Sequence, residues 1–299
     1  YFEPSNAINL SNVEFKNHDY FSMSILDPIK YSLDLDGEGS DRISLLFLLG
    51  NIFLQHIENP DFREGQLGII TNALMQKDTV GLLPTGSGKS VCYQLAAILQ
   101  PSISFVVCPI KSLMYDQKAD LDSIFFSRTN YITSDLRADE KAVVQKDFSH
   151  GKYFFIFISP ERFQSKSFRK EFSSINQEKS FAYAVIDEVH CLSEWGHDFR
   201  TSYLNLANTI EKLAPESTYI GLTATASVNV LRDIQSEFHI EDMDVKTPLN
   251  YTREELKFNV INDNNNKFNA LKIQLESLNK KWNIFSINNT KSHCGIIFT

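Results

Sequence analysis

A chain of 299 residues, 42% hydrophobic and 22% charged, can bury one large core or two smaller ones and has the composition of a globular protein. Its longest apolar run, Ile43 to Leu54, is interrupted by Ser44, Gly50 and Asn51 and falls short of the ~20 residues that span a bilayer, so no membrane partner is expected. The net charge of −8 does not exclude a nucleic-acid ligand: residues 1–60 hold nine Asp/Glu against three Lys/Arg, and the other 239 residues are close to neutral.

Taken in order, residues 1–55 read as an N-terminal extension. It holds an acidic turn-like segment, Asp34 to Gly39, and then the Ile43–Leu54 run, which reads as a buried helix. No basic segment followed by an apolar one opens the chain, so secretion is not expected. From residue 78 the pattern changes. Short apolar runs at Asp78–Leu83, Ile103–Cys108, Tyr153–Ser159, Phe181–Ile186 and Tyr219–Leu222 alternate with helical stretches such as Lys89–Leu99 and Ser112–Asp122. The runs are continuous rather than alternating, as in strands buried on both faces of a parallel sheet. Residues 56–250 are therefore expected to form one doubly wound α/β domain. Residues 251–299 read as a linker and a new beginning: a polar cluster at Asn262–Asn266, a helix from Phe268 to Leu278 and a single strand at Cys294–Phe298.

Cys92, Cys108, Cys191 and Cys294 are scattered, form no C-x-x-C pair and have apolar neighbours, which favours small core residues over a zinc site. Reduced thiols suit a cytoplasmic protein.

Three segments carry chemistry. Leu82-Leu83-Pro84-Thr85-Gly86-Ser87-Gly88-Lys89-Ser90 follows one expected strand and opens one expected helix. Small residues at Thr85, Gly86, Ser87 and Gly88 let consecutive backbone N–H groups curl round phosphate oxygens at the positive end of the helix. Lys89 would reach the outer phosphates, and the Ser90 hydroxyl would complete a Mg²⁺ shell. The strict phosphate-loop pattern fails only at its first position, where Leu83 stands for Gly. Asp187-Glu188-Val189-His190 ends another strand, 98 residues after Lys89. At such an edge Asp187 would hold Mg²⁺ through water, Glu188 would orient or deprotonate the attacking water, and His190 would link nucleotide state to its neighbours. Gly221-Leu222-Thr223-Ala224-Thr225-Ala226 follows a third strand, and the hydroxyls of Thr223 and Thr225 can hydrogen-bond to the acidic site.

Together with Phe62-Arg63-Glu64-Gly65-Gln66, Cys108 to Gln117, Ile158-Ser159-Pro160-Glu161-Arg162 and the aromatic segment His190 to Arg200, these residues resemble the RecQ family of superfamily 2 helicases. The likeness runs over roughly 59–260, with a last piece at 294–299. It implies a RecA-like phosphate-loop domain with a mostly parallel sheet flanked by helices, preceded by the extension and followed by the start of a second RecA-like domain. It further implies ATP and Mg²⁺ as cofactors, with Arg63 lying against the adenine ring and Gln66 bonded to its edge. DNA, as single strands and duplex junctions, becomes the expected partner, with Trp195 and Phe199 as stacking faces and His197 and Arg200 as polar contacts. No protein partner is implied. A DNA substrate would place the protein at the nucleoid of a bacterium or in the nucleus of a eukaryote.

Several residues depart from the family pattern. Asn59 stands where an aromatic usually stacks on adenine, Val189 where Ala is usual, Thr201 where Pro is common and Lys111 where an apolar residue is frequent. Because the likeness stops just inside the second motor domain, this segment alone is expected to bind ATP·Mg²⁺ but hydrolyse it poorly, lacking an arginine finger worth roughly 10³–10⁵ in rate. Two rival readings remain open: another superfamily 2 motor acting on RNA or translocating without strand separation, and a non-catalytic nucleotide-binding scaffold.

Overall fold

Alternate residues along the central strands point to opposite faces of the sheet, and in this chain both faces are covered. In the computed structural model Phe105, Ile156, Ile158, Ala184 and Ile186 belong to one buried cluster. Their strand neighbours Val106, Phe155, Phe157, Tyr183 and Val185 belong to another. That is why the runs are apolar without a break. The structure describes residues 27–33, 35, 40–55, 57–58, 60–124, 126–178, 180–193, 203, 205–249, 259–263 and 266–282.

Residues 1–251 and 252–299 form two separate compact units. In the first, the described strands are β1 (Thr79–Leu82), β2 (Ser104–Val107), β3 (Thr129–Ile132), β4 (Phe155–Ile158), β5 (Tyr183–Asp187), β6 (Thr218–Thr223) and β7 (Val245–Lys246). The helices are α1 (Ser40–Ile52), α2 (Gln66–Leu74), α3 (Lys89–Ile98), α4 (Lys111–Ser123), α5 (Ala138–Ser149), α6 (Lys166–Glu178), α7 (Leu206–Leu213) and α8 (Val228–Phe238). The second unit contributes α9 (Lys267–Trp282), which extends the helix expected from Phe268 to Leu278 at both ends. Among the described residues no helix is long and apolar enough to cross a membrane.

Every strand pairing is parallel, in the order β3-β4-β2-β5-β6-β1-β7. β6 therefore lies between β1 and β5, and the loops leaving β1 and β5 rise on either side of its end. Ligands of open α/β sheets bind in such a crevice beyond the carboxyl ends of the strands.

Two strands were not expected. β3 is an edge strand, Thr-Asn-Tyr-Ile, whose two central residues are only half buried, so it lacks a continuous apolar run. β7 is two residues long.

The Ile43–Leu54 stretch needs correcting. It becomes α1, but only Leu45 and Leu49 are buried, while Ile43 and Phe47 are 59% and 67% exposed. Residues four apart share a helix face, so one Leu row packs and the Ile43–Phe47 row does not. Upstream of α1, residues 27–33 are pinned to the α/β fold. The Ile29 N–H donates to Gln100 Oε1 at 2.9 Å, and Gln100 Nε2 donates back to the Ile29 carbonyl at 2.9 Å. The Tyr31 N–H donates to the Leu74 carbonyl at 2.8 Å.

Gly81 of β1 sits where no side chain fits. A Cβ there would meet Ile69 Cδ1 at 2.4 Å and Leu222 Cδ2 at 2.8 Å. Gly81→Ala is expected to destabilise the fold by about 1–3 kcal/mol through overpacking, read as a lower denaturant midpoint with unchanged slope.

Candidate nucleotide-binding site

The loop between β1 and α3 begins with Leu83, whose N–H donates to the Thr223 carbonyl at 3.0 Å, so the loop is tied to the end of β6 at its root. Gly86 and Gly88 have φ of +79° and +77°, a region that favours glycine. At Gly88 a Cβ would also lie 2.7 Å from Gln66 Nε2. Ser87 Oγ is buried without a hydrogen-bond partner among the described residues, a polar atom in need of a ligand. Thr85 and Gly86 are exposed on the outer turn. Lys89 and Ser90 open α3, which places them over the positive end of a ten-residue helix.

Across the end of β6, β5 closes with Asp187 and turns sharply. Glu188 adopts φ 50°, ψ 48°, a left-handed conformation that a non-glycine residue holds only under constraint. The turn aims its carboxylate back at the loop: Glu188 Oε1 lies 3.8 Å from Lys89 Nζ and Oε2 lies 3.3 Å from His190 Nδ1. The hydrogen bond from His190 and the Lys89 ammonium hold the Glu188 carboxyl below its ordinary pKa, against the cost of burial. Asp187 is 7% exposed, and burial together with the adjacent Glu188 charge raises its pKa to about 6. The Lys89 ammonium, then the Glu188 N–H (3.0 Å) and the Gln117 side chain, partly offset that rise. Cys108, its thiol pushed up to about 12 by burial and by Asp187, lies 3.9 Å from Asp187 Oδ2.

His190 Nδ1 also lies 2.7 Å from Thr223 Oγ1, whose own hydrogen goes to the Thr225 carbonyl at 3.0 Å. Thr223 must therefore accept, and His190 must carry its proton on Nδ1. The Cys191 sulfur, 3.9 Å from Nε2, and the Glu188 carboxylate raise the His190 pKa to about 10. A continuous path thus runs from Lys89 through Glu188 and His190 to Thr223 and Thr225.

One cavity of about 670 Å³ is lined by Arg63, Gln66, Gly86, Gly88, Lys89, Ser90, Gln117, Asp187 and Glu188, a size common for small-molecule sites. Gln66 is buried, and Gly65 before it has φ +86°. Its Nε2 donates to the carbonyls of Ser87 (2.9 Å) and Gly88 (3.1 Å), and its Oε1 accepts the Arg63 N–H at 2.8 Å. The Arg63 guanidinium donates to the Gly86 carbonyl. Both side chains clasp the phosphate loop itself.

The residues expected to carry the chemistry of the phosphate and acidic segments thus meet in one place. Trp195, His197, Phe199 and Arg200 lie outside the described residues. The flanks of that segment are described, however. Ser193 Oγ donates to Asp233 Oδ2 of α8 at 2.5 Å, and the Tyr203 hydroxyl donates to the Asp187 carbonyl at 3.4 Å. Gln117 and Tyr93, whose hydroxyl donates to Gln117 Oε1, also belong to the site and escaped the sequence reading as functional groups. The sequence placed Gln117 at the end of the Cys108 to Gln117 segment and Tyr93 in the helical stretch Lys89–Leu99, with no role read for either side chain. Among the described residues no cluster of three or more His, Cys, Asp or Glu could hold a metal ion. A cation at Ser90 and Asp187 would have to draw further oxygens from a bound phosphate or water.

A family model described as DEAD/DEAH box helicase matches residues 63–234. The chain belongs to this family. Relatives of this DEAD/DEAH box helicase chain include the RecQ-like DNA helicase blm-1 of Caenorhabditis elegans, 33% identical over 204 residues, covering 67% of this chain and 20% of that protein. They also include the probable ATP-dependent DNA helicase RecS of Bacillus subtilis (strain 168), 37% identical over 180 residues, covering 60% of this chain and 35% of that protein. The ATP-dependent DNA helicase RecQ of the same organism is 35% identical over 207 residues, covering 68% and 34%. The chain therefore spans about a fifth to a third of the length of these relatives and is similar to the motor portion of RecQ-type helicases. The fold is shared with the DUF1998 helicase MrfA, solved bound to DNA and AMPPNP, at a TM-score of 0.51 and 18% identity over 76% of this chain and 31% of that one.

Proposed function

We propose that this chain is the ATP-hydrolysing motor portion of a RecQ-like 3′→5′ DNA helicase, with residues 1–55 as an extension, 56–250 as its first RecA-like domain and 251–299 leading into a second. One observation carries the reading: Lys89, Ser90, Asp187 and Glu188, from two distant turns, line a single cavity. Lys89 binds the outer phosphates of ATP, and Ser90 and Asp187 hold Mg²⁺, which supplies charge neutralisation on those phosphates. Glu188, kept ionised by His190 and Lys89, orients the attacking water and takes its proton. His190 and Thr223 pass the state of that carboxylate to the end of β6 and to the Thr225 carbonyl beyond it.

The DNA contacts assigned to Trp195, His197, Phe199 and Arg200 rest on sequence resemblance, supported by the anchoring of their flanks beside Asp187 and α8. The names of the relatives favour DNA over RNA, and a site of the protein's action at nucleoid or nucleus follows from that substrate. Steady-state ATP turnover of the full-length protein, titrated with single-stranded DNA and with RNA, tests the proposal. Turnover should rise with DNA and respond weakly to RNA. Equal stimulation by RNA would favour an RNA motor, and none by either would favour a nucleotide-binding scaffold.

A further inference from the structure

The Asp187 carboxyl is held by neighbours of unequal strength. The Glu188 N–H donates to Oδ1 at 3.0 Å, and the Cys108 thiol, a weak donor, lies 3.9 Å from Oδ2. From α4 the Gln117 side chain hydrogen-bonds to the same carboxyl and lines the cavity with Ser90 and Asp187. Gln117 is thus a full-strength side-chain contact from a separate helix, and a cation ligand of one flexible bond gains most from such a brace.

The direction of the Gln117 amide is set at its other end. An ionised carboxylate only accepts, so Gln117 must turn Nε2 toward Asp187. Oε1 is left to face away, and there the Tyr93 hydroxyl donates to it. Tyr93 is fully buried, with its ring edge-on to Phe155 at 5.9 Å between centroids. Burial and the Asp187 charge hold the phenol well above its ordinary pKa, so it keeps the proton it donates. A phenylalanine would pack in the same place; the hydroxyl is what fixes the amide. Tyr93 also follows Lys89 by four residues and Ser90 by three, on one face of α3. One helix therefore carries the phosphate and cation groups in its first turn and the hydroxyl that sets Gln117 in its second.

From this one-way chain of hydrogen bonds we infer that Gln117 and Tyr93 are positioning residues for the cation. Gln117 holds the Asp187 carboxylate in the orientation that shares a cation with Ser90, and Tyr93 keeps the Gln117 amide facing the carboxylate. Tyr93 acts only through Gln117, and Gln117 only through Asp187. The inference rests on the motor reading of this cavity and adds to it two side chains from outside the phosphate and acidic segments. Removing a group that orients a metal ligand typically costs about 10–100-fold in metal affinity.

The test is the factor by which Mg²⁺ strengthens ATP binding to the full-length protein, read by competition against a fluorescent ATP analogue with and without Mg²⁺. Gln117→Leu should cut this factor by about tenfold or more. Tyr93→Phe, which keeps the ring and removes only the hydroxyl, should cut it by about fivefold. Because one residue acts through the other, the double variant should match Gln117→Leu alone. Cuts that multiply would show two independent effects and overturn the chain. ATP binding weakened equally with and without Mg²⁺ would mark a deformed cavity and overturn it too. Should Gln117→Leu fail to fold, a Tyr93→Phe protein that keeps the full Mg²⁺ factor still removes the relay. Asp187→Asn separates the two ideas. If it loses the Mg²⁺ factor while Gln117→Leu and Tyr93→Phe keep theirs, this inference alone falls; if it too keeps the factor, the shared-cation reading falls with it.

Discussion

Glu188→Gln is expected to lower DNA-stimulated ATP turnover of the full-length protein by about 10²–10⁴-fold while nucleotide affinity stays within a few-fold. The substitution keeps the side chain's shape and its place in the left-handed turn after β5, so the cavity walls do not move. It removes the acceptor for a proton and the negative charge paired with Lys89 and His190. Lys89, freed from that pair, still faces the phosphates, which is why binding survives. The position of Glu188 also sets the pH behaviour. Its carboxyl titrates below the ordinary carboxylate range, so it is ionised throughout neutral pH, and the acid limb of turnover should not reflect its protonation. Parallel measurement of turnover at saturating DNA and of equilibrium ATP affinity decides the matter. A variant that turns over within tenfold of the unaltered protein would remove Glu188 from the chemistry.

Asp187→Asn should abolish measurable turnover and, in the absence of nucleotide, make the protein more stable at pH 8. Asp187 is buried, and its folded-state pKa of about 6 stands above the ordinary 3.8. Between those values the folded protein holds a proton that the unfolded chain has released. The stability associated with this group is therefore fully present at low pH and is lost as pH rises through about 6. Asparagine carries no such cost and can still accept the Glu188 N–H. The gap between variant and unaltered protein should open between pH 4 and 6 and level off above, reaching on the order of 2 kcal/mol, or about 4–8 °C in Tm. Glu188 is shifted in the opposite direction and its charge contributes to the Asp187 shift, so the difference reports Asp187 together with its coupling to Glu188. Thermal unfolding at pH 4.5 and pH 8 measures it. A variant less stable at pH 8 would mean that the carboxylate is a structural asset rather than a strained ligand.

Much of this site could be read from residue order because its chemistry is local. Gly86, Gly88, Lys89 and Ser90 are contiguous, and so are Asp187, Glu188 and His190, each set directly after an apolar run. What joins them is topology: β6 between β1 and β5, a neighbour relation that no single segment encodes. The continuous strands were legible because both faces are buried, while β3, polar at its centre and lying at the edge, was not. α1 shows the opposite failure. An apolar run does not say how many of its faces find a partner, and the Ile43–Phe47 row found none among the described residues. Gln66 illustrates a third limit: its identity announced a role near the nucleotide, but the direction of its amide, toward the loop carbonyls, depends on tertiary placement. Tyr93 and Gln117, which support Asp187 through one hydroxyl and one amide, were hidden for the same reason.

The shared cation is the point on which the two halves of the cavity depend on each other. Equilibrium affinity for ATP should be measured with and without Mg²⁺ in the unaltered protein, in Ser90→Ala and in Asp187→Asn. Mg²⁺ should strengthen ATP binding in the first and do so far less in both variants, although the two residues lie on separate turns 97 positions apart in the chain. If Mg²⁺ strengthens binding equally in Asp187→Asn and the unaltered protein, Asp187 does not share a cation with the phosphate loop, and the turns after β1 and β5 do not form one catalytic site.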